Sequence, residues 1–164
     1  MEPSQPALCI RRSQPHDRSA IIALLSATDF FRPDEIAVAL EVLDEALAHG
    51  AEGHYQSYVA EADGAVAGWV CFGATPCTLS TFDIYWIAVD RSKQMRGLGK
   101  ALLQQAEQRI AERGGRLVVI ETSGREQYQP TRQFYLKVGY TEAGTIADFY
   151  APGDPKTIYV KALA

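Results

Sequence analysis

The chain contains no run of about eighteen apolar residues, the minimum for a helix that crosses a bilayer, so a membrane protein of that kind is excluded. Its first residues, MEPSQPALCI, do not combine a basic segment with a long apolar one; no secretory leader is expected, and a cytoplasmic location is the default. Positive charge is in deficit, with 16 Lys and Arg against 20 Asp and Glu and a net charge of −4. With no basic stripe to offset that balance, sequence-independent binding to nucleic acid is not expected. Cysteine is scarce: Cys9, Cys71 and Cys77 are an odd set without metal-ligand spacing. That disfavours a disulfide framework or a zinc site and leaves buried reduced thiols as the expectation. His49 and His54 flank a loop and have no metal-binding partner at useful spacing, so both are expected in solvent and no metal is predicted. No internal repeat or low-complexity segment appears. What remains is 164 residues with 47% hydrophobic content, the size and composition of one domain with one core.

Residues 7–12 read as a short strand. Pro15-His16-Asp17 opens a helix, capped by Asp17 or Ser13, whose Ile21, Ile22, Leu24 and Leu25 face inward. A second helix is bounded by Pro33, suited to a first helical turn, and by Gly50 after His49. Ile36, Leu40, Leu43 and Leu47 recur at helical spacing and predict its buried stripe, leaving Asp34, Glu35, Glu41, Asp44 and Glu45 largely to solvent. Residues 55–62 and 66–72 are strand-like runs joined by Asp63-Gly64, a hairpin signal. Pro76 sets a loop over 73–79 before a long strand at Thr81–Val89. A helix then runs to about Arg113, with Leu98, Leu102, Ala106 and Ile110 as its apolar row and Gly114-Gly115 as its stop. Residues 117–121 are a buried strand by their Leu, Val and Ile content, and 122–130 a polar loop. Residues 131–138 form a short helix stopped by Gly139, and 141–146 and 157–163 are the last strands.

One stretch organises the rest, residues 84–110, IYWIAVDRSKQMRGLGKALLQQAEQRI. An apolar, β-branched and aromatic run passes through a polar loop into a helical pattern beyond Gly97 and Gly99. A strand, glycine loop and helix in that order suit an anion: glycines leave room against the backbone, and the unpaired N–H groups of the first helical turn point at the ligand. A pyrophosphate fits, with Arg96 and Lys100 as flanking charge. The spacing is neither the dinucleotide G-x-G-x-x-G nor G-x-x-x-x-G-K-[ST]. An ordinary connection is the alternative, because turns need glycine for steric reasons alone.

Gln94-Met95-Arg96-Gly97-Leu98-Gly99 resembles the Q/R-x-x-G-x-G/A loop that follows a strand ending in A-V-D in the GNAT superfamily of acyl-CoA-dependent N-acetyltransferases. Val118-Val119-Ile120-Glu121-Thr122 is similar to that family's next strand, and Phe134-Tyr135-Leu136-Lys137-Val138-Gly139-Tyr140 to its F-Y-x-x-x-G-F/Y segment, so the resemblance covers most of the chain. Its Ile120-Glu121-Thr122 also looks like the branch of ribosomal-protein alanine and protein N-terminal acetyltransferases. The resemblance implies an α/β fold of GNAT type in one domain, elements in the order β-α-α-β-β-β-α-β-α-β-β. Its seven-stranded mixed sheet would have parallel fourth and fifth strands that splay into a cleft. Acetyl-CoA is the implied cofactor. The main chain of Ile87, Ala88 and Val89 would pair with the pantetheine amides as an added strand does, and amides across Gln94, Met95, Arg96, Gly97, Leu98, Gly99 and Lys100 would hold the pyrophosphate. Many members place an asparagine beyond the fifth strand to bind the pantetheine arm. Residues 123–131 hold none, and Gln127, Tyr128 and Thr131 are the candidates to replace it.

Acetyl transfer to an amine needs a neutral nucleophile, a stabilised oxyanion and a proton for the departing thiolate. A lysine-like amine, with a reference pKa of about 10.4, must first lose a proton. Glu121 matches the glutamate that relays that proton through water in the family, and its alternative role is a strand-end carboxylate in a salt bridge. Tyr135 matches the family's acid tyrosine; with Phe134 turned to the core it is expected to face the thiolate, and its alternative role is a core aromatic. Phe31, Asp83, Tyr85 and Tyr150 are the candidates for acceptor contact, although Phe30 and Phe31 also suit a hydrophobic staple. Residues 148–154, D-F-Y-A-P-G-D, resemble a hairpin of the protein N-terminal acetyltransferases or form a tight turn dictated by Pro152-Gly153. The expected function is transfer from acetyl-CoA to the primary amine of a small or amino-acid-like molecule. A peptide N-terminus is second, and a non-catalytic acyl-CoA-binding module is the rival class. Family members often pair through terminal strands, so a homodimer is compatible with the resemblance.

Overall fold

The computed structural model describes residues 7–93 and 97–164, so the expectations for Gln94, Met95 and Arg96 lie outside the described residues. Two compact units divide the chain: one takes it to Gly73 and adds Trp86–Gln108, the other holds Ala74–Tyr85 and Arg109–Ala164.

In the first unit, β1 (Leu8–Arg12) pairs antiparallel with β2 (Gln56–Ala62), and β2 with β3 (Ala65–Ala74). The β2–β3 hairpin turns on Asp63 at φ 52° and Gly64 at φ 79°, the left-handed pair that a two-residue type I′ turn requires. Two helices follow β1, α1 (Arg18–Ala27) and α2 (Pro33–His49). Both bounds of α2 fall where proline and glycine place them, but its buried face centres on Ala39, Leu43 and Ala46, with Ile36, Leu40 and Leu47 only partly buried beside it. Small alanines let the helix axis come close to the core of Ile21, Leu25, Val59, Trp69 and Cys71, so the larger side chains flank the contact. Trp69 is fully buried and its indole N–H donates to Ser57 Oγ at 2.8 Å, which leaves no polar group orphaned.

The expectations for the first helix's cap and for the cysteines are corrected. Asp17 caps the turn Pro15–Asp17 that leads into α1, its carboxylate accepting from the Gln14 N–H at 2.7 Å, and the same carboxylate accepts from Arg11 at 2.8 and 2.9 Å rather than capping α1. Ser13 is engaged with Ser57. Of the cysteines only Cys71 is buried, whereas Cys9, on a strand at the sheet's end, and Cys77, in the loop after β3, are exposed.

In the second unit, β5 (Leu117–Ser123) and β6 (Thr141–Ala151) each pair antiparallel with β7 (Asp154–Ala162), and α4 (Gln129–Lys137) lies between β5 and β6 in sequence. β5 runs two residues past its predicted end, to Ser123, and the last hairpin is longer than the sequence pattern indicated, β6 reaching Ala151 and β7 starting at Asp154. Two elements contribute to both units, β4 (Thr81–Val89) and α3 (Leu98–Glu112). The predicted row of α3, Leu98, Leu102, Ala106 and Ile110, is buried, joined by Leu103. Strand order in the seven-stranded sheet is β1-β2-β3-β4-β5-β7-β6. β4 pairs parallel with β5, which follows from the crossover through α3. Its ladder runs from Thr81 opposite Leu117 to Ile84 opposite Ile120, and Tyr85 and Glu121, the next residues, are not partners.

Candidate active site

Glu121 is the first residue of β5 past that parallel ladder. Its neighbours Ile120 and Thr122 are buried, so by strand alternation Glu121 projects from the other face, with 45% of its side chain exposed. There Oε2 accepts from Lys156 Nζ at 2.8 Å. The salt bridge weighed as the alternative for Glu121 is therefore present, and a pair this exposed adds only about 0–1 kcal/mol. It leaves the carboxylate open to solvent, so accepting a proton remains within its reach.

Tyr135 belongs to the opposite face. Its ring lies 6.1 Å from Tyr140 and 5.7 Å from Tyr159, and Tyr159 is the cross-strand partner of Ile120. Cross-strand partners share a face, so the β5–β7 pair presents a carboxylate on one side and this phenol on the other. The expectation that Phe134 takes the core is reversed. Tyr135 is 3% exposed and Phe134 half-buried, because the cluster to be filled is built from Tyr140 and Tyr159, on the side of α4 that Tyr135 occupies. Burial, and then the neighbouring Tyr159, pushes the Tyr135 phenol well above its ordinary value, so it is protonated at neutral pH.

Beyond Glu121 the chain is pinned by a polar network. Ser123 Oγ bonds Asp154 Oδ1, Arg125 Nε lies 3.3 Å from Asp154 Oδ2, and Arg132 Nη1 donates to the carbonyls of Ser123 at 3.0 Å and Arg125 at 2.7 Å. Gln127 is exposed in the short 3-10 turn Glu126–Tyr128, and Thr131 is half-buried in the first turn of α4.

The anion-binding candidates fall in the first unit. Ala88 is buried at the end of β4, with Ile87 and Val89 half-buried beside it, and the Asp90 N–H donates to the Ala67 carbonyl at 2.7 Å. Gly97 adopts φ 83°, a conformation that favours glycine, and no heavy atom lies within 4 Å of where a Cβ would stand. α3 begins at the next residue, so the N–H groups of its first turn have no intrahelical acceptor. Leu98 is buried, Gly99 half-buried and Lys100 exposed. Open backbone, amides and a cation match the chemistry of a diphosphate.

The acceptor candidates divide between the two units. Phe31 meets Trp86 edge to face at 5.1 Å and packs on the first unit's core, while Phe30 lies beneath the Arg91 guanidinium at 4.2 Å. In the second unit Asp83 accepts from Thr75 Oγ1 at 2.6 Å, Tyr85 is half-buried, and Tyr150 meets Phe149 edge to face at 5.1 Å. No sequence signal marked Lys156, because it precedes the strand predicted from 157. Among the described residues no group of His, Cys, Asp and Glu is placed to hold a metal, and no helix is long and apolar enough to cross a membrane.

A parallel β4–β5 pair that stops at Ile84 and Ile120, and an open glycine turn entering the crossover helix, define an acyltransferase scaffold. The profile of the family described as "Acetyltransferase (GNAT) domain" matches residues 53–142. A solved structure from Desulfovibrio desulfuricans, assigned to the GNAT family of acetyltransferases, is 42% identical, with 96% of this chain and 100% of that one covered at a TM-score of 0.91. More distant likenesses show the same fold. A ribosomal-protein-alanine N-acetyltransferase from Brucella melitensis has 17% identity, 94% and 99% coverage and a TM-score of 0.75. An aminoglycoside 6'-N-acetyltransferase complexed with coenzyme A has 16% identity, 94% and 96% coverage and a TM-score of 0.73. No curated protein sequence matches. The chain belongs to the GNAT acetyltransferase family and is an acetyl-CoA-dependent acyltransferase.

Proposed function

We propose that the protein moves the acetyl group of acetyl-CoA to the primary amine of a small or amino-acid-like molecule by direct transfer, as one cytoplasmic catalytic domain. The observation that carries this reading is Glu121, an accessible carboxylate standing where the parallel ladder stops. When bound, the cofactor supplies an activated thioester. Main-chain groups of Ile87, Ala88 and Val89 would hold its pantetheine arm, and Gln127 or Thr131 would stand in for the family's asparagine. Amides of Gly97, Leu98, Gly99 and Lys100 would hold its diphosphate.

Stripping a proton from an amine of pKa about 10.4 at pH 7 costs about 5 kcal/mol. Glu121 accepts that proton, directly or through water. Tyr135 serves the leaving sulfur. Full transfer from a phenol held above about 10 to a thiolate whose acid has a pKa of about 8.5 is uphill by at least about 2 kcal/mol, so Tyr135 acts as a hydrogen-bond donor to the developing charge. Phe31, Asp83, Tyr85 and Tyr150 are the acceptor contacts of this reading. A peptide N-terminus is the second reading, favoured by the hairpin that residues 148–154 do form.

A panel of primary amines, amino acids and short peptides, assayed for free thiol release, tests the proposal. Small amines should be turned over best, and Glu121→Gln should lower kcat by about 100-fold or more while acetyl-CoA affinity holds. Acetyl-CoA binding without thiol release for any amine would identify a binding module and overturn the assignment.

A further inference from the structure

We infer that Lys156 is the positioning residue that holds Glu121 for proton transfer, an inference that rests on the catalytic reading of Glu121 above. The support begins in the last hairpin. Register between β6 and β7 jumps from Ile146 opposite Lys156 to Ala151 opposite Asp154, so residues 147–150 stand against Pro155 alone. This wide bulge is held in shape. Asp148 adopts φ 54° and its Oδ1 accepts from the Gly153 N–H at 2.8 Å. The bulge places the Phe149 ring 4.2 Å from Lys156 Nζ, a cation–π distance. Phe149 stays 50% exposed, an unusual state for a phenylalanine and consistent with a ring placed for its face.

Lysine is ordinarily a poor positioning group, since its long stem samples many rotamers. Here the stem is covered, with 12% of the side chain exposed, and Pro155 fixes the backbone just before it. The anionic partner of the ammonium is the Glu121 carboxylate at 2.8 Å. Glu121, 45% exposed at the end of its ladder, would otherwise move among rotamers. Misplacing a reacting group by about 1 Å costs up to about 100-fold in rate. Phe149, Lys156 and Glu121 thus form a short relay of contacts from the hairpin to the proton acceptor.

The test is a double-mutant cycle on amine acetylation, with kcat and both KM values measured for wild type, Lys156→Met, Lys156→Arg, Glu121→Gln and the Glu121→Gln, Lys156→Met double variant. Methionine keeps the covered stem and removes only the cation. Lys156→Met should lower kcat about 10- to 100-fold with the acetyl-CoA KM unchanged, and Lys156→Arg should recover most of the loss. In the Glu121→Gln background the same change should alter kcat by less than about twofold, because there is no base left to position. A wild-type kcat in Lys156→Met, an arginine variant no better than the methionine one, or an equal loss in both backgrounds would overturn the inference and leave the role of Glu121 standing. A Glu121→Gln enzyme with full kcat, or a wild type that releases no thiol, would instead refute the catalytic reading itself and this inference with it.

Discussion

Replacing Tyr135 by phenylalanine separates chemistry from packing, because the ring and the hydroxyl have different tasks. The ring fills the space beside Tyr140 at 6.1 Å and Tyr159 at 5.7 Å, and phenylalanine keeps that volume. Stability should change by no more than about 1 kcal/mol, the net value of one hydrogen-bonding group, whereas Tyr135→Ala opens a cavity and should cost about 3–5 kcal/mol. The hydroxyl is assigned to the leaving sulfur, so Tyr135→Phe should lower kcat by about 100-fold, the modest end for a hydrogen-bond donor to developing charge, with acetyl-CoA affinity retained. Initial rates of thiol release at saturating acetyl-CoA, calorimetric titration of the cofactor and urea unfolding supply the three readouts. The pH response is also constrained. Burial raises the phenol above its ordinary value, so Tyr135 should impose no fall in kcat below about pH 10. The same shift is a stability statement. The folded state keeps a proton that the unfolded chain releases near pH 10, so stability is full below that pH and is lost as pH rises towards the folded pKa. A Tyr135→Phe enzyme with wild-type kcat, or one whose rate falls only in step with cofactor affinity or stability, would refute the assignment.

Gly115 and Gly114 form a matched pair at the end of α3, where the Gly115 N–H donates to the Ile110 carbonyl at 2.8 Å and the Gly114 N–H to Ala111 at 2.9 Å. A Cβ at Gly115 would lie 2.2 Å from Ile110 Cγ2 and 2.8 Å from the Ile110 carbonyl, whereas at Gly114, φ 78°, it meets nothing within 4 Å. Gly115→Ala should therefore cost about 2–4 kcal/mol and Gly114→Ala about 1, and equal losses by denaturant unfolding would refute the steric account. At Asp17, 2% exposed, burial pushes the carboxyl up, but hydrogen bonds from Arg11 and the Gln14 amide outweigh it and hold the group below its ordinary 3.8. Its stabilisation is present above about pH 4 and lost as pH falls through the folded value, so Asp17→Asn should cost about 2–4 kcal/mol at pH 7 and flatten the acid limb of stability. An acid limb unchanged in that variant would show that the stabilisation lies elsewhere.

What the sequence made legible was local chemistry. Pro33 and Gly50 bounded α2, Asp63-Gly64 turned the first hairpin, and the apolar row of α3 was buried as spaced, because each signal acts within one or two turns of its own residue. Tertiary partners were not legible. Asp17 has the chemistry of a cap and accepts from the Gln14 N–H, but its bidentate partner Arg11 lies six residues away, on β1. The order of Phe134 and Tyr135 depends on where Tyr140 and Tyr159 place their rings, which no helical periodicity encodes. The same limit governs the candidate site. Glu121 could be picked out from its place at a strand end, but Lys156 could not: a bulge opposite Pro155 carries pairing to within a residue of the turn, and strand patterns are weakest beside a turn. The proposed base stands just past the parallel ladder of β5 and its proposed holder on the last hairpin. Relatives that alter the hairpin's length while keeping the strand would therefore retain the carboxylate and lose what fixes it, which ties acceptor chemistry to the part of the chain where loops vary most.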